Sequence, residues 1–159
     1  MGSGKTVFGK KLAKRLNLEF YDLDKHIEQK YQMSIPSIFT SFDETVFRNL
    51  ETKELNDFIF KDNFVLSCGG GTPCFNNNME LINKLGISVY IELNAITLCD
   101  RLLKSKTQRP LIKGLSPQEL QQKIEQLLSD RKKYYKQSNI KISGINLKPN
   151  ILIEILDKL

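Results

Sequence analysis

The string MGSGKT over residues 1–6 constrains the fold more than any other stretch of this chain. A glycine-rich turn running into Lys-Thr and then into a helix is the working half of a P-loop. The backbone N–H groups of such a turn, with the helix N-terminus behind them, form a nest of positive potential that suits phosphate oxygens. Gly2, Ser3 and Gly4 line the cradle, because side chains at the glycines would block the approach of backbone to phosphate. In such a loop Lys5 would reach the β- and γ-phosphates, and the Thr6 hydroxyl would bind Mg2+.

The complete pattern, GxxxxGK[ST], puts its first glycine two residues ahead of Met1 and its delivering strand before that. An MGS opening is also what an expression tag leaves behind. Residues 7–16 speak against that origin. They continue at once as an amphipathic helix with Phe8, Leu12, Ala13 and Leu16 on one face, as a helix packed on a sheet requires. Met1 is therefore read as an internal methionine of a protein that begins several residues upstream. In related folds the delivering strand lies mid-sheet, so its loss would expose two strand edges and much apolar surface. The chain as it stands is expected to be poorly stable or inactive.

A length of 159 residues fits one domain. No apolar run approaches the length of a membrane span, so no membrane partner is expected. Cys68, Cys74 and Cys99 form an odd set without metal-ligand spacing, and His26 is the only histidine. That composition points to reduced, idle thiols and a cytoplasmic protein. A net charge of +6 suits anionic ligands, which include nucleotides as well as nucleic acid. Aromatic-basic interleaving and a recognition helix are both missing, so nucleic acid is not an expected partner.

Strand and helix patterns alternate along the chain. Glu19 to Asp22 reads as a short strand ending in the acids of DLD, and residues 25–32 look helical. Ser34 caps a short helix with Pro36 in its first turn. Asp43 caps a longer one that carries Val46, Phe47, Leu50, Leu55, Phe58 and Ile59 inward. Phe64 to Ser67 is an apolar strand that runs straight into Gly69-Gly70-Gly71. A helix over 77–84, a strand over 87–93 and a helix capped by Asn94 follow. Residues 104–115 lack apolar periodicity, and Ser116-Pro117-Gln118-Glu119 is a capping box opening a helix to about Lys136. A strand over 139–143 and a helix over 149–159 close the chain. Strands separated by helices imply parallel pairing and a layered α/β domain, with ligands beyond the carboxyl ends of the strands.

That rule gathers the chemistry. Asp22 and Asp24 follow one strand, where one could meet Mg2+ and the other a substrate hydroxyl; acids at this point also serve as helix caps. The triple glycine after a buried strand suggests close backbone approach to a ligand. On the long helix Leu120, Ile124, Leu127, Leu128, Arg131 and Tyr135 share a stripe at spacings of 4, 3, 1, 3 and 4. An arginine there either meets an anion or snorkels to water. Arg48, between Glu44 and Glu51, fits an ordinary surface ion-pair ladder or a guanidinium held to grip a carboxylate. Arg109, in the basic loop, is a solvated charge or a lid arginine that reaches a γ-phosphoryl group.

Six strings in register, MGSGKT, YDLDKHIE, IFTSFDETVFRNLE, LSCGGG, QRPL and DRKKYY, give the chain a near full-length resemblance to the shikimate kinases. The resemblance implies a P-loop kinase with a central parallel sheet, a substrate-binding insert over about 23–51 and a lid over about 104–116. It implies that Lys5 and Thr6 serve ATP and Mg2+, with Asp22 in the metal's outer shell and Ser67 near it. Asp24 would hold and deprotonate the substrate hydroxyl. Arg48 and Arg131 would grip the shikimate carboxylate, Gly70 and Gly71 would contact the ring substituents, and Phe39 and Phe47 would flank them. Arg109 would be the lid arginine and Arg101 would lie beside the adenine. The expected reaction moves the γ-phosphoryl of ATP to the shikimate 3-hydroxyl, in a monomer. Rival readings are a P-loop kinase for gluconate or a nucleoside monophosphate, and a non-catalytic nucleotide-binding module.

Overall fold

Caps and turn residues set the element boundaries. The structure, a computed structural model, describes residues 2–105 and 114–159. Ser34 accepts from the Ser37 N–H at 3.2 Å, Asp43 from Val46 at 2.8 Å and Asn94 from Thr97 at 2.8 Å. Ser116 and Glu119 close the expected capping box, with the Ser116 N–H donating to the Glu119 carboxylate at 2.8 Å. Each such cap satisfies an otherwise orphaned N–H and contributes about 1 kcal/mol.

The helices so bounded are α1 (Lys5–Leu16), α2 (Leu23–Tyr31), α3 (Ile35–Ser41), α4 (Glu44–Asp57), α5 (Asn78–Leu85), α6 (Ala95–Leu103), α7 (Pro117–Tyr135) and α8 (Pro149–Leu156). Between them lie β1 (Glu19–Asp22), β2 (Phe64–Ser67), β3 (Val89–Glu92) and β4 (Ile140–Ser143). None of the described helices is long and apolar enough to cross a membrane.

All strand pairing is parallel, as the alternation of elements requires, but it forms two ladders. β1 lies on β2, from Glu19 opposite Phe64 to Asp22 opposite Ser67. β3 lies on β4, from Val89 opposite Ile140 to Glu92 opposite Ser143. β2 and β3 line opposite parts of one mainly apolar cavity of about 630 Å³. Phe8 and Leu12 of α1, Ile82 of α5 and Leu152 of α8 also border it. Among the described residues the strands thus form two separate two-stranded parallel sheets.

Three apolar clusters hold the layers. Leu23, Ile27, Ile38, Phe47 and Phe58 pack beneath α2–α4, each 4% exposed or less. Leu12, Ile140, Ile142 and Leu152 join α1, β4 and α8, with Val65, Val89 and Ile91 packed against them. Leu93, Leu98, Leu102, Leu120 and Ile124 close α6 on α7. Burying each of these side chains contributes roughly 1.5–3 kcal/mol. Val46 and Ile59, expected to point inward, are instead 37% and 54% exposed. The buried face of α4 and the turn after it runs through Phe47, Arg48, Glu51, Glu54, Leu55 and Phe58, one residue out of phase with both. Three charged residues on that face misled a reading based on apolar spacing.

Candidate active site

The phosphate end begins with two left-handed glycines. Gly2 has φ +72° and Gly4 φ +85°, conformations that a Cβ would strain. A Cβ at Gly2 would also press to 3.2 Å on Leu102. No side chain caps the N-terminus of α1, so its first turn faces outward as an anion-binding terminus. Arg101 braces this loop, donating to the Ser3 carbonyl at 3.3 Å and to the Gly144 carbonyl, just past β4, at 3.0 Å.

Thr6, Asp22 and Ser67 come together beside the loop. The Thr6 hydroxyl donates to Asp22 Oδ2 at 2.8 Å and lies 3.5 Å from Ser67 Oγ. Asp22 and Ser67 are direct partners in the β1–β2 ladder, so both side chains leave the same face at the carboxyl end of the sheet. This is a set of hard oxygen donors suited to Mg2+. No group of three or more carboxylate, His or Cys side chains is placed to hold a metal among the described residues, so water and phosphate oxygens would complete its shell.

Asp22 also caps α2, accepting from the Lys25 N–H at 3.4 Å, and so sets Asp24 in the first turn of that helix. Burial pushes the Asp24 carboxyl up to about 6, helped by the Asp22 and Glu51 carboxylates and opposed by Lys5. A carboxylate near pKa 6 is a competent general base at neutral pH. Behind it, a Cβ at Gly69 would lie 3.3 Å from Asp24 Oδ1 and 2.9 Å from Thr72 Oγ1, so the turn can pass only as glycine.

Arg48 is no surface ladder residue. It is 9% exposed, with Nε and Nη2 donating to Glu44 Oε1 at 3.1 and 2.8 Å and Nη1 donating to Glu51 Oε2. Burial alone would disfavour its charge, but the Glu51 and Glu44 carboxylates outweigh that and raise its pKa. The guanidinium carbon sits 5.2 Å from the Phe47 ring centroid and 4.2 Å from that of Phe75, both within cation–π range. Glu51, 1% exposed, also accepts from the Thr72 hydroxyl at 2.5 Å. Gly71 lies against the guanidinium, where a Cβ would stand 2.8 Å from both terminal nitrogens.

Arg131 on α7 lies near the Tyr135 hydroxyl and opposes the upward push of burial on its pKa. It also faces the same thiol as Arg48: burial raises Cys74, and both Arg131 and Arg48 oppose the rise. The Cys74 thiol, just past the glycine turn, thus lies in the positive field of both guanidinium groups. Phe39 and Phe47 pair with ring centroids 4.8 Å apart, Phe47 buried and Phe39 exposed at the rim.

The structure thus gathers Thr6, Asp22 and Ser67 in one group and Arg48 with Gly71 in another, sets Asp24 against Gly69 within electrostatic reach of Lys5, and puts Arg131 beside Tyr135, whose hydroxyl meets Gly70. Arg101 sits on the loop backbone. Arg109 and the lid segment from 106 to 113 lie outside the described residues. Sequence reasoning missed Phe75 and Thr72, which follow the glycine turn without a periodic signal. It saw Tyr135 only as a stripe residue.

Comparison with known proteins agrees with this geometry. The shikimate kinase family profile matches residues 1–159. The chain belongs to the shikimate kinase family. A shikimate kinase from Azobacteroides pseudotrichonymphae is 43% identical over 98% of this chain and 92% of the relative. The crystal structure of the shikimate kinase from Bacteroides thetaiotaomicron superposes with a TM-score of 0.94 at 36% identity, covering 99% of this chain and 94% of that one. A shikimate kinase from Acinetobacter baumannii, solved in complex with shikimate, gives 0.87 at 34% identity over 99% and 89%. Shikimate kinases are ATP- and Mg2+-dependent phosphotransferases of aromatic amino acid biosynthesis, and the oxygen donors of Thr6, Asp22 and Ser67 fit that metal.

Proposed function

We propose that this chain transfers the γ-phosphoryl group of ATP to the 3-hydroxyl of shikimate, with Asp24 as general base. The observation that carries the reading is the position of Asp24. Its carboxyl, raised to about 6, feels both Lys5 of the phosphate loop and Glu51, the buried partner of Arg48, and lies against the Gly69 turn. Gly2, Ser3, Gly4 and Lys5 hold the triphosphate, while Thr6 and Ser67, with Asp22 behind them, hold Mg2+. The metal supplies charge neutralisation on the phosphates. Arg48 and Arg131 grip the substrate carboxylate, Gly70 and Gly71 meet its ring hydroxyls, and Phe39 and Phe47 wall the ring.

With the acid so held, Asp24 accepts the 3-hydroxyl proton as the new O–P bond forms and the β–γ bridging bond breaks. The products are ADP and a phosphate ester. Lys5 and the lid residue Arg109 stabilise the charge in transit, and Arg101 flanks the adenine. The working unit is a cytoplasmic monomer of one domain, with the insert at 23–51 and the lid at 104–116.

Asp24→Asn tests the assignment. Its kcat should fall by about 10²–10⁴ with ATP affinity nearly unchanged, the usual range for a lost general base. Unchanged turnover would remove Asp24 from the mechanism. ADP release measured with shikimate, gluconate and AMP separates the substrate classes, and only shikimate should support turnover.

A further inference from the structure

Tyr135 bridges parts of the site that come from different halves of the sheet. Its hydroxyl donates to the Gly70 carbonyl, just beyond β2, at 2.5 Å. Its ring stacks on Tyr90 of β3, with centroids 4.8 Å apart and planes at 28°. One turn back on the same helix, the Arg131 guanidinium lies close enough to this hydroxyl to oppose the rise that burial gives its pKa, and the two side chains line one small cavity. A phenol carries one proton and two lone pairs, so it can donate to the carbonyl and accept from the guanidinium at once.

We infer that Tyr135 is a positioning residue for the substrate acid, locking the Gly70 carbonyl and the Arg131 guanidinium into one geometry before the ligand arrives. The inference rests on the proposal that Arg131 grips the shikimate carboxylate. Without the hydroxyl, the Gly70 carbonyl, on a half-buried residue, keeps only the long 4.0 Å contact from the Cys74 thiol. Arg131 in turn must order itself on binding, which weakens affinity. Burial raises the Tyr135 pKa even though Arg131 opposes it, so the donor proton is retained at neutral pH.

Tyr135→Phe removes the oxygen and keeps the ring on Tyr90. Calorimetric titration of this variant should show shikimate Kd raised about 5- to 20-fold and ATP Kd within twofold of the parent. Tyr90→Leu, which frees the ring but keeps the hydroxyl, should shift shikimate Kd in the same direction by a smaller factor. Arg131→Ala separates the two layers of the argument. If it leaves shikimate binding intact, the carboxylate assignment fails. If it weakens binding while Tyr135→Phe does not, only the positioning role fails. Equal losses of shikimate and ATP affinity in Tyr135→Phe, or loss of its cooperative melting, overturn the inference in favour of a general structural role.

Discussion

The two ladders are built on different principles. Around β1–β2, charged groups are buried and fully engaged. Glu54, with 0% exposure, accepts from Lys30 at 2.7 Å and from Tyr31 at 2.7 Å, and pairs with His26 at 3.0 Å. Glu51 does the same for Arg48 and Thr72. Around β3–β4 the interior is almost wholly apolar, and its main buried polar group is Ser88, tied to Asn139 by a 2.8 Å bond from its N–H and a 2.9 Å bond from its hydroxyl. Buried ion pairs add little net stability, because desolvation offsets their attraction, but they fix geometry. On the proposed function, the first half supplies the rigid charged wall of the substrate site, while the second is mainly apolar and adds Arg131 and Tyr135 of α7 to that site.

Four experiments would break or sharpen that contrast, and the largest effect is expected at the cavity between the halves. A designed extension ahead of Met1, five or six β-branched residues ending in Gly-x, could enter the apolar space that β2 and β3 both line. It should raise Tm by about 10 °C, since roughly 1 kcal/mol moves a domain of this size 2–4 °C. An unchanged melting curve would mean that the cavity does not accept a strand.

Glu51→Ala should come next. Removing one member of a buried ion pair costs about 3–5 kcal/mol, and shikimate affinity should drop about 100-fold while ATP affinity holds. Parallel loss of both affinities would show that the first half is not specialised. Leu152→Ala probes the other half, with an expected 2–4 kcal/mol loss of stability in denaturant melts and no change in either Kd at a temperature where the variant is folded. A selective loss of shikimate binding there would erase the distinction.

The smallest effects come from pH. Turnover should rise as pH climbs through about 6, where Asp24 loses its proton. The same shift has a cost in stability. The folded pKa lies above the unfolded value of 3.8, so ionisation opposes folding between about pH 4 and 6, and the penalty is complete above that. Asp24→Asn should therefore be more stable than the parent at pH 7, by on the order of 3 kcal/mol, and not at pH 4. Equal stability at both values would argue against a raised Asp24.

Much of this was legible in the residues, for reasons that also explain what was not. The caps at Ser34, Asp43, Asn94 and Ser116 are local chemistry, complete within four residues, and all four fell where the sequence put them. The MGSGKT loop and the triple glycine are local too. Arg48 shows the limit, because Glu44 and Glu51 at helical spacing look the same on a wet surface and in a buried cluster; burial comes from Phe47, from Phe75 and from the Gly71 backbone. The hydroxyl of Tyr135 meets a carbonyl 65 residues away, a contact that no periodicity announces. Val46 and Ile59 were misread because buried glutamates displaced the apolar stripe.

Asp22 and Ser67 face each other across the β1–β2 ladder. A slip of one residue would turn one of them to the opposite side of the sheet. Mispaired molecules would then be chemically silent as well as strained. Counting catalytically competent molecules in a preparation would thereby count those whose first two strands had aligned correctly.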